Sequence, residues 1–542
     1  MKISKKSLFL VIFGLLLSVV LVACASEPDE SGTTDDSSEE TDSTENTEGG
    51  EGSGGDLVIA NLSDAVSLDP AGSNDSASSD VQTNIYESLT SQDENMEVQP
   101  ELAESWEAVE DNVWEFKLRE GVTFHDGSEF NADVVKANID RIMNPEVASP
   151  RAFLYDMVTE VKVVDDYTVQ FVTEYPFAPL PAHLAHHGGA MVSLEQIEAD
   201  FAAMEDGEEP GSVINANPIG TGFFKFESWS PGSEVVLVNN EDYWGEPAKL
   251  DSVTFKVVSE GGTRVAELET GASHIANDVS PNDVPRIEGM ENASISQQSS
   301  VSISYIGFNN EKEPFDDPLV RQAINMAIDR EEIINGVYDG IGTPATGPLA
   351  PSVFGYDENA EGLEYDPEAA KELLAEAGYE DGFSTTLWTN DSQERIDMAT
   401  VVQAQLAEFG IDVEIEVLEW GAYLEQTANG EHDMFILGWT TVTGDADYGL
   451  YPLFHSSMVG EPGNRTFTEN DELDALLDEA RQESDPDTRL ELYSEIQTLL
   501  TDVAPFLNIH HQDYLVGVSD SVKGFWQDPT KVLQLQDVYI EE

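Results

Sequence analysis

The sequence predicts a mixed α/β or α+β fold, and three observations carry that expectation. Short runs alternate apolar and polar residues with period two, longer runs repeat with helical spacing, and the two kinds follow one another irregularly. No repeat of 20–50 residues is visible, which argues against a solenoid or a propeller.

The strands come first. Val113-Trp114-Glu115-Phe116-Lys117-Leu118 alternates, as do residues 168–172, 234–238 and 252–258. Residues 434–437 form a short, wholly apolar strand. Helical spacing runs through residues 132–143, 318–328, 397–409 and 471–483. The helix expected over 367–377 opens at Asp366-Pro367, a cap followed by a first-turn proline, and stops at Gly378.

Composition narrows the function. At roughly 100–200 residues per domain, 542 residues make two to four domains. With 23 Phe, 16 Tyr and 8 Trp, most of the chain folds. Against 107 Asp and Glu stand 24 Lys and Arg, a net charge of −83. Such a charge repels nucleic acid and opposes docking of the protein surface on anionic lipid. Cys24 is the only cysteine, so an intramolecular disulfide or a thiolate zinc cluster is impossible.

Residues 1–24 read as a secretion signal, with Lys2, Lys5 and Lys6 ahead of an apolar run from Leu8 to Val22. The run ends in Leu21-Val22-Ala23-Cys24, which resembles the bacterial lipobox, where the chain is cut just before the cysteine and the thiol receives a diacylglycerol. Cys24 is therefore the expected lipid anchor. The alternative, an uncleaved span, needs about 20 apolar residues, and this run is short of that. Residues 25–55 form an acidic tether; from 27 to 55 they carry 11 acids and no Lys, Arg or aromatic, too little apolar surface to fold.

Further motifs resemble a known family. Ala103-Glu104-Ser105-Trp106, Lys117-Leu118-Arg119-Glu120-Gly121-Val122 and Phe124-His125-Asp126-Gly127 are similar to a run in bacterial ABC-importer solute-binding proteins of the peptide/nickel class, family 5. Asn217-Pro218-Ile219-Gly220-Thr221-Gly222 with Phe224-Lys225-Phe226, and the stretch from Pro314 to Ala323, resemble that class's later signatures. Ser67-Leu68-Asp69-Pro70, Thr343-Pro344-Ala345-Thr346-Gly347, Gly382 to Trp388 and Gly438 to Asp447 look like its glutathione-binding receptor branch. That branch typically has Glu where Asp445 stands and Trp where Tyr448 stands. The dipeptide branch's amine-holding Asp and carboxylate-holding Arg are replaced here by Val442 and Thr389, which disfavours free dipeptides.

The resemblance implies a type II, periplasmic-binding-protein-like clamp: lobe I over 56–303 and 510–542, lobe II over 304–509, and a hinge near Ser304 and His510. A ligand would bind in the cleft and be buried by closure. Glutathione would bring two carboxylates and an ammonium. Arg151 is the candidate for a carboxylate; Asp445 or Asp447, in a Gly-containing loop after a strand, is the candidate for the ammonium. Trp439 would stack on the ligand, Asn74 and Asp75 would add polar contacts from lobe I, and Tyr305 and Thr389 complete the candidate set. Arg264 and Arg321, inside expected helices, read as structural.

The implied function is an extracytoplasmic receptor on the outer face of the cytoplasmic membrane, a monomer passing a small peptide to an ABC permease and its ATPase. No enzymatic activity and no cofactor are expected. His183, His186 and His187 have helix-like spacing but are bracketed by Leu180-Pro181 and Gly188-Gly189 without HExxH, so no metal is expected either. An oligopeptide, dipeptide or nickel-chelate receptor is the alternative. A secreted hydrolase is the distant one, because GxSxG, Walker and dinucleotide signatures are missing. The charge itself predicts salt adaptation: the melting midpoint should rise between ~0.1 and ~2 M salt as screening shortens to a few Å, and a salt-independent midpoint would refute this.

Overall fold

The computed structural model describes residues 54–460 and 463–541. The signal, Cys24 and the tether up to residue 53 lie outside them. Among the described residues no helix is long and apolar enough to cross a membrane.

Two large sheets organise the body. The first has seven strands in the order Ala293–Ser299, Asp513–Ser519, Ile275–Ala276, Asp56–Asn61, Ser252–Val257, Glu234–Asn239 and Phe224–Ser230. The second has six: Thr343–Pro344, Phe506–His511, Ser302–Phe308, Met434–Thr440, Ser384–Asn390 and Asp412–Leu418. The chain passes from the first sheet to the second between Ser299 and Ser302, and returns between His511 and Asp513. These crossings lie side by side: Ser300 N–H donates to the Gln512 carbonyl (3.2 Å), and His511 Nδ1 lies 2.9 Å from the Ser302 carbonyl.

A four-stranded antiparallel sheet, Ala103–Glu110, Val113–Leu118, Thr168–Thr173 and Val158–Asp165, extends the first part. Its alternation is the one visible in the sequence. Phe116 and Phe171 point inward and meet edge to face at 5.4 Å over the helix Ala132–Ile142. Met434, Phe435 and Ile436 are buried on both faces because helices cover the six-stranded sheet, which is why that strand reads as a continuous apolar run.

The helices follow their capping residues. Asp366 accepts hydrogen bonds from the N–H groups of Glu368 and Ala369 at the start of Pro367–Glu376, and Gly378 lies at φ +88° just beyond its end. The helix expected from residue 397 begins one turn earlier, at Gln393, where Gln393, Glu394 and Arg395 add no apolar stripe to the sequence. The three histidines do not share a helix. Leu180–His183 is a single turn, and His186 instead caps a tight turn by accepting from Gly188 N–H (2.9 Å). A Cβ on Gly188 would collide with Arg151 Cδ, so glycine permits this close approach. Arg264 donates to the carbonyls of Asn277, Val258 and Asp278, and Arg321 to those of Val503 and Phe315; both brace their surroundings.

A buried ionic cluster holds the segment leading to Asn74. Arg141 grips Asp69 through two bonds (3.0 and 2.6 Å) and Asp200 through a third (3.0 Å), while Asp69 also accepts from Ala71 N–H. Arg141→Met would leave two buried carboxylates without their cation. Unfolding in urea at fixed salt should then show a loss of about 3–5 kcal/mol; a loss below ~1 kcal/mol would mean that water reaches the cluster.

Candidate functional site

A cavity of about 190 Å³ opens where the parts of the chain carrying the two large sheets meet. One wall holds Asn74, Asp75 and Ser79 with His186 and His187; the other holds Trp439, Val442 and Tyr448. Thr530 and Val532, from the returning C-terminal segment, complete it.

Local structure fixes each wall. Asp75 caps the helix Ser76–Ile85, its carboxylate accepting from Ser78 N–H (2.9 Å) and Ser78 Oγ (2.8 Å), which presents Ser79 in the first turn. Trp439 ends the Met434–Thr440 strand and donates Nε1–H to the Tyr448 carbonyl (2.9 Å), with ring centres 5.3 Å apart. Tyr448 stands on the helix Ala446–Phe454, packed between Trp439, Phe153 and His186.

Arg151 lies directly behind the first wall. It is 1% exposed and donates one weak bond, Nη2–H to Ser79 Oγ (3.3 Å). Its Nε and Nη1 have no partner among the described residues. A buried guanidinium with idle donors beside a polar cavity is poised for an anion. Arg151, Asn74, Asp75 and Trp439 are thus brought together.

The other candidates lie elsewhere. Asp445 caps Ala446–Phe454 and is gripped by Arg489 (2.8 and 3.0 Å). It borders a separate, largely apolar hollow of about 660 Å³ near Met96 and Trp114. Asp447 is held by Arg481 (3.1 Å twice) and lies 3.6 Å from His183 Nε2, off the cavity lining. Both carboxylates are committed to arginines, and Asp445 performs the turn capping that Asp favours. Tyr305 is buried in a core, stacked on Phe506 at 4.3 Å. Thr389 is buried with its hydroxyl unpartnered and does not line the cavity. Val442, standing where the dipeptide branch has its aspartate, does line it.

Desolvation sets the protonation states. Burial pulls the Arg151 guanidinium down to about 10, still charged at neutral pH, with Tyr448 and Asp75 opposing the shift. Burial, reinforced by the Arg151 charge, pushes His187 down to about 3 and His186 well below its ordinary range. Both rings are therefore neutral at pH 7. The Gly188 N–H bond to Nδ1 leaves the His186 proton on Nε2. The cavity wall thus offers one carboxylate and neutral polar groups, with one cation buried directly behind it at Ser79. It suits an ion-paired small ligand, and among the described residues no cluster of His, Cys, Asp and Glu could hold a metal.

These histidines make stability pH-dependent. Their folded pKa values lie below the ordinary 6.5, so the unfolded chain binds more protons in acid and stability falls as pH drops below that value. Between pH 7 and 5, His187 alone should cost on the order of 1–2 kcal/mol. His187→Asn should flatten that part of the melting profile, and an unchanged slope would count against a neutral ring.

Comparison with known proteins agrees with this geometry. The profile described as "Bacterial extracellular solute-binding proteins, family 5 Middle" matches residues 97–461. The glutathione-binding protein GsiB of Salmonella typhi is 34% identical over 492 residues, covering 89% of this chain and 94% of its own. The structure of the periplasmic binding protein DppA from Helicobacter pylori, in complex with the peptide STSA, superposes with a TM-score of 0.80 at 32% identity, covering 91% of this chain and 99% of that one. The oligopeptide-binding protein AppA of Bacillus subtilis, bound to a nonapeptide, gives 0.79 at 30% identity, covering 91% and 100%. Mixed sheets around an interlobe cleft, a match over most of the chain and relatives of this kind lead to one conclusion: the chain belongs to the family 5 bacterial extracellular solute-binding proteins, two-lobed peptide and solute receptors of ABC importers that act outside the cytoplasm and are not enzymes.

Proposed function

We propose that this receptor captures glutathione, or a short peptide of similar charge, and delivers it to a membrane permease. The observation that carries the reading is Arg151, whose idle buried nitrogens adjoin a cavity that also offers the Asp75 carboxylate. A peptide carboxylate meeting Arg151 would supply the acceptors that the fold leaves out. Asp75, rather than Asp445 or Asp447, is then the carboxylate in reach of the ligand ammonium. Likeness to GsiB supports glutathione, and Val442 on the cavity wall leaves no amine-holding aspartate of the dipeptide kind.

The lobes, residues 56–303 with 510–542 and residues 304–509, match the two large sheets to within two residues, and they hinge at the paired crossings, which lie between Ser299 and Ser302 and between His511 and Asp513, just outside Ser304 and His510. Closure about that hinge buries the ligand. Acylation of Cys24 tethers a monomeric receptor through residues 25–55, and the acidic surface suits a saline medium. A second reading, an oligopeptide receptor, is favoured by the 660 Å³ hollow beside Thr443 and Gly444, whose apolar walls would take side chains of a longer peptide.

Calorimetric titration with glutathione and a panel of di- to pentapeptides separates the readings. Glutathione should bind well below ~1 mM, and Arg151→Ala should weaken it by about 1.5–3 kcal/mol. Binding of longer peptides alone would favour the second reading, and indifference to every peptide would refute both.

A further inference from the structure

One arginine outside the cavity wall keeps its charge unspent. Ser384–Asn390 runs parallel to both Asp412–Leu418 and Met434–Thr440. Their carboxyl ends, Asn390, Leu418 and Thr440, therefore lie on one edge of the sheet, beyond which ligands of such sheets bind. Arg395 rises from that edge in the first turn of the helix Gln393–Ala407. Its Nη1–H donates to Asn390 Oδ1 (3.0 Å), and its guanidinium lies 5.6 Å from the centre of the Trp420 ring, itself 43% exposed. A Cβ placed on Gly438 would sit 3.9 Å from Arg395 Nη2, and Gly438 is part of the cavity wall beside Trp439.

Among the described residues Arg395 makes no ion pair, though Glu394 and Asp397 share its helix. Arg141, Arg286, Arg481 and Arg489 each hold a carboxylate, and Arg264 and Arg321 spend their donors on carbonyls. Arg395 has five N–H donors and gives one to Asn390.

We propose that Arg395 is a second carboxylate anchor, meeting one end of the ligand from the side of the six-stranded sheet while Arg151 holds the other end from the opposite wall. The inference rests on the short-peptide reading and narrows it to peptides with two separated carboxylates, of which glutathione is one. A dianion spanning both guanidinium groups links the two walls through itself, so it closes the cleft more effectively than a ligand with a single carboxylate. Selection then acts on the number and spacing of ligand charges, with cavity size as a further filter.

The test titrates glutathione and its two mono-amides, one blocked at the glycine carboxylate and one at the glutamyl α-carboxylate, into the wild type, R395Q, R395K and R151A. R395Q should weaken glutathione by roughly 10-fold or more. The loss should vanish for one mono-amide and persist for the other, R151A should show the reverse dependence, and R395K should recover part of the affinity. Equal losses for all three ligands, or no loss at all, would overturn the anchor while leaving glutathione binding intact. If the wild type ignores glutathione, the ligand reading falls. The anchor is then judged on other dicarboxylate peptides and their amides. It stands if an acid-over-amide preference disappears in R395Q, and falls if the preference persists or never existed.

Discussion

Arg151 sets the terms for the site. A guanidinium taken out of water without a carboxylate loses several kcal/mol of solvation that nothing in the fold returns in full; its one bond goes to the Ser79 hydroxyl. The surrounding structure compels this position. Gly188 gives up its side chain to let the arginine stem pass, and His186 and His187 stay neutral instead of adding charge beside it. Asp75, the nearest carboxylate on that wall, turns its oxygens to Ser78 at the helix start and does not neutralise the arginine. A buried charge left short of partners at a cavity, rather than relieved within the fold, is what the proposed ligand carboxylate would satisfy.

Two of the arginines that do find carboxylates serve the opposite wall. Arg489 on Asp445 and Arg481 on Asp447 fix the two ends of a single turn, and the helix that begins there carries Tyr448 into the cavity. Arg481 lies 3.6 Å from the Tyr451 ring centre and donates to Tyr175 Oη (3.2 Å), while Asp447 faces His183; Tyr175 and His183 both lie in the part of the chain before the first crossing. One ionic cluster therefore sets the Tyr448 helix and also joins the two sides of the cleft. Removing the Asp447 carboxylate would thus disturb the placement of Tyr448, even though the carboxylate is not on the cavity wall.

Much of the fold was legible in the sequence because local signals and tertiary demands agreed there. Val113 to Leu118 alternates because one face of that sheet is buried, and Asp366-Pro367 opens a helix in isolation as it does in the fold. Arg151 stood out because basic residues are scarce. The expectation for Asp445 and Asp447 shows the limit of local signals: an acid in a loop after a strand looks the same whether it faces a ligand or caps the next helix, and the arginines that hold these two are 34 and 44 residues away in sequence. The helix-like spacing of His186 and His187 conceals the turn that makes them wall residues. Thr530 and Val532 carried no signal at all, since only the return of the C-terminal segment brings them to the cavity.

The charge of −83 then works on the ligand as well as on the fold. A dianionic peptide approaching this surface meets repulsion at every distance beyond contact, and the attraction of Arg151 and Arg395 acts only at short range. Salt changes the two terms unequally. Near 1 M it shortens screening to about 3 Å, which removes the long-range repulsion, whereas a desolvated pair inside a closed cleft excludes the ions that would screen it. In a saline medium the same acidic surface would therefore cease to hinder capture of the proposed ligand, while the grip of the cleft would persist. On the proposed reading, two cations in a field of carboxylates would be enough for selectivity, because a saline solvent would silence the field and leave the cleft intact.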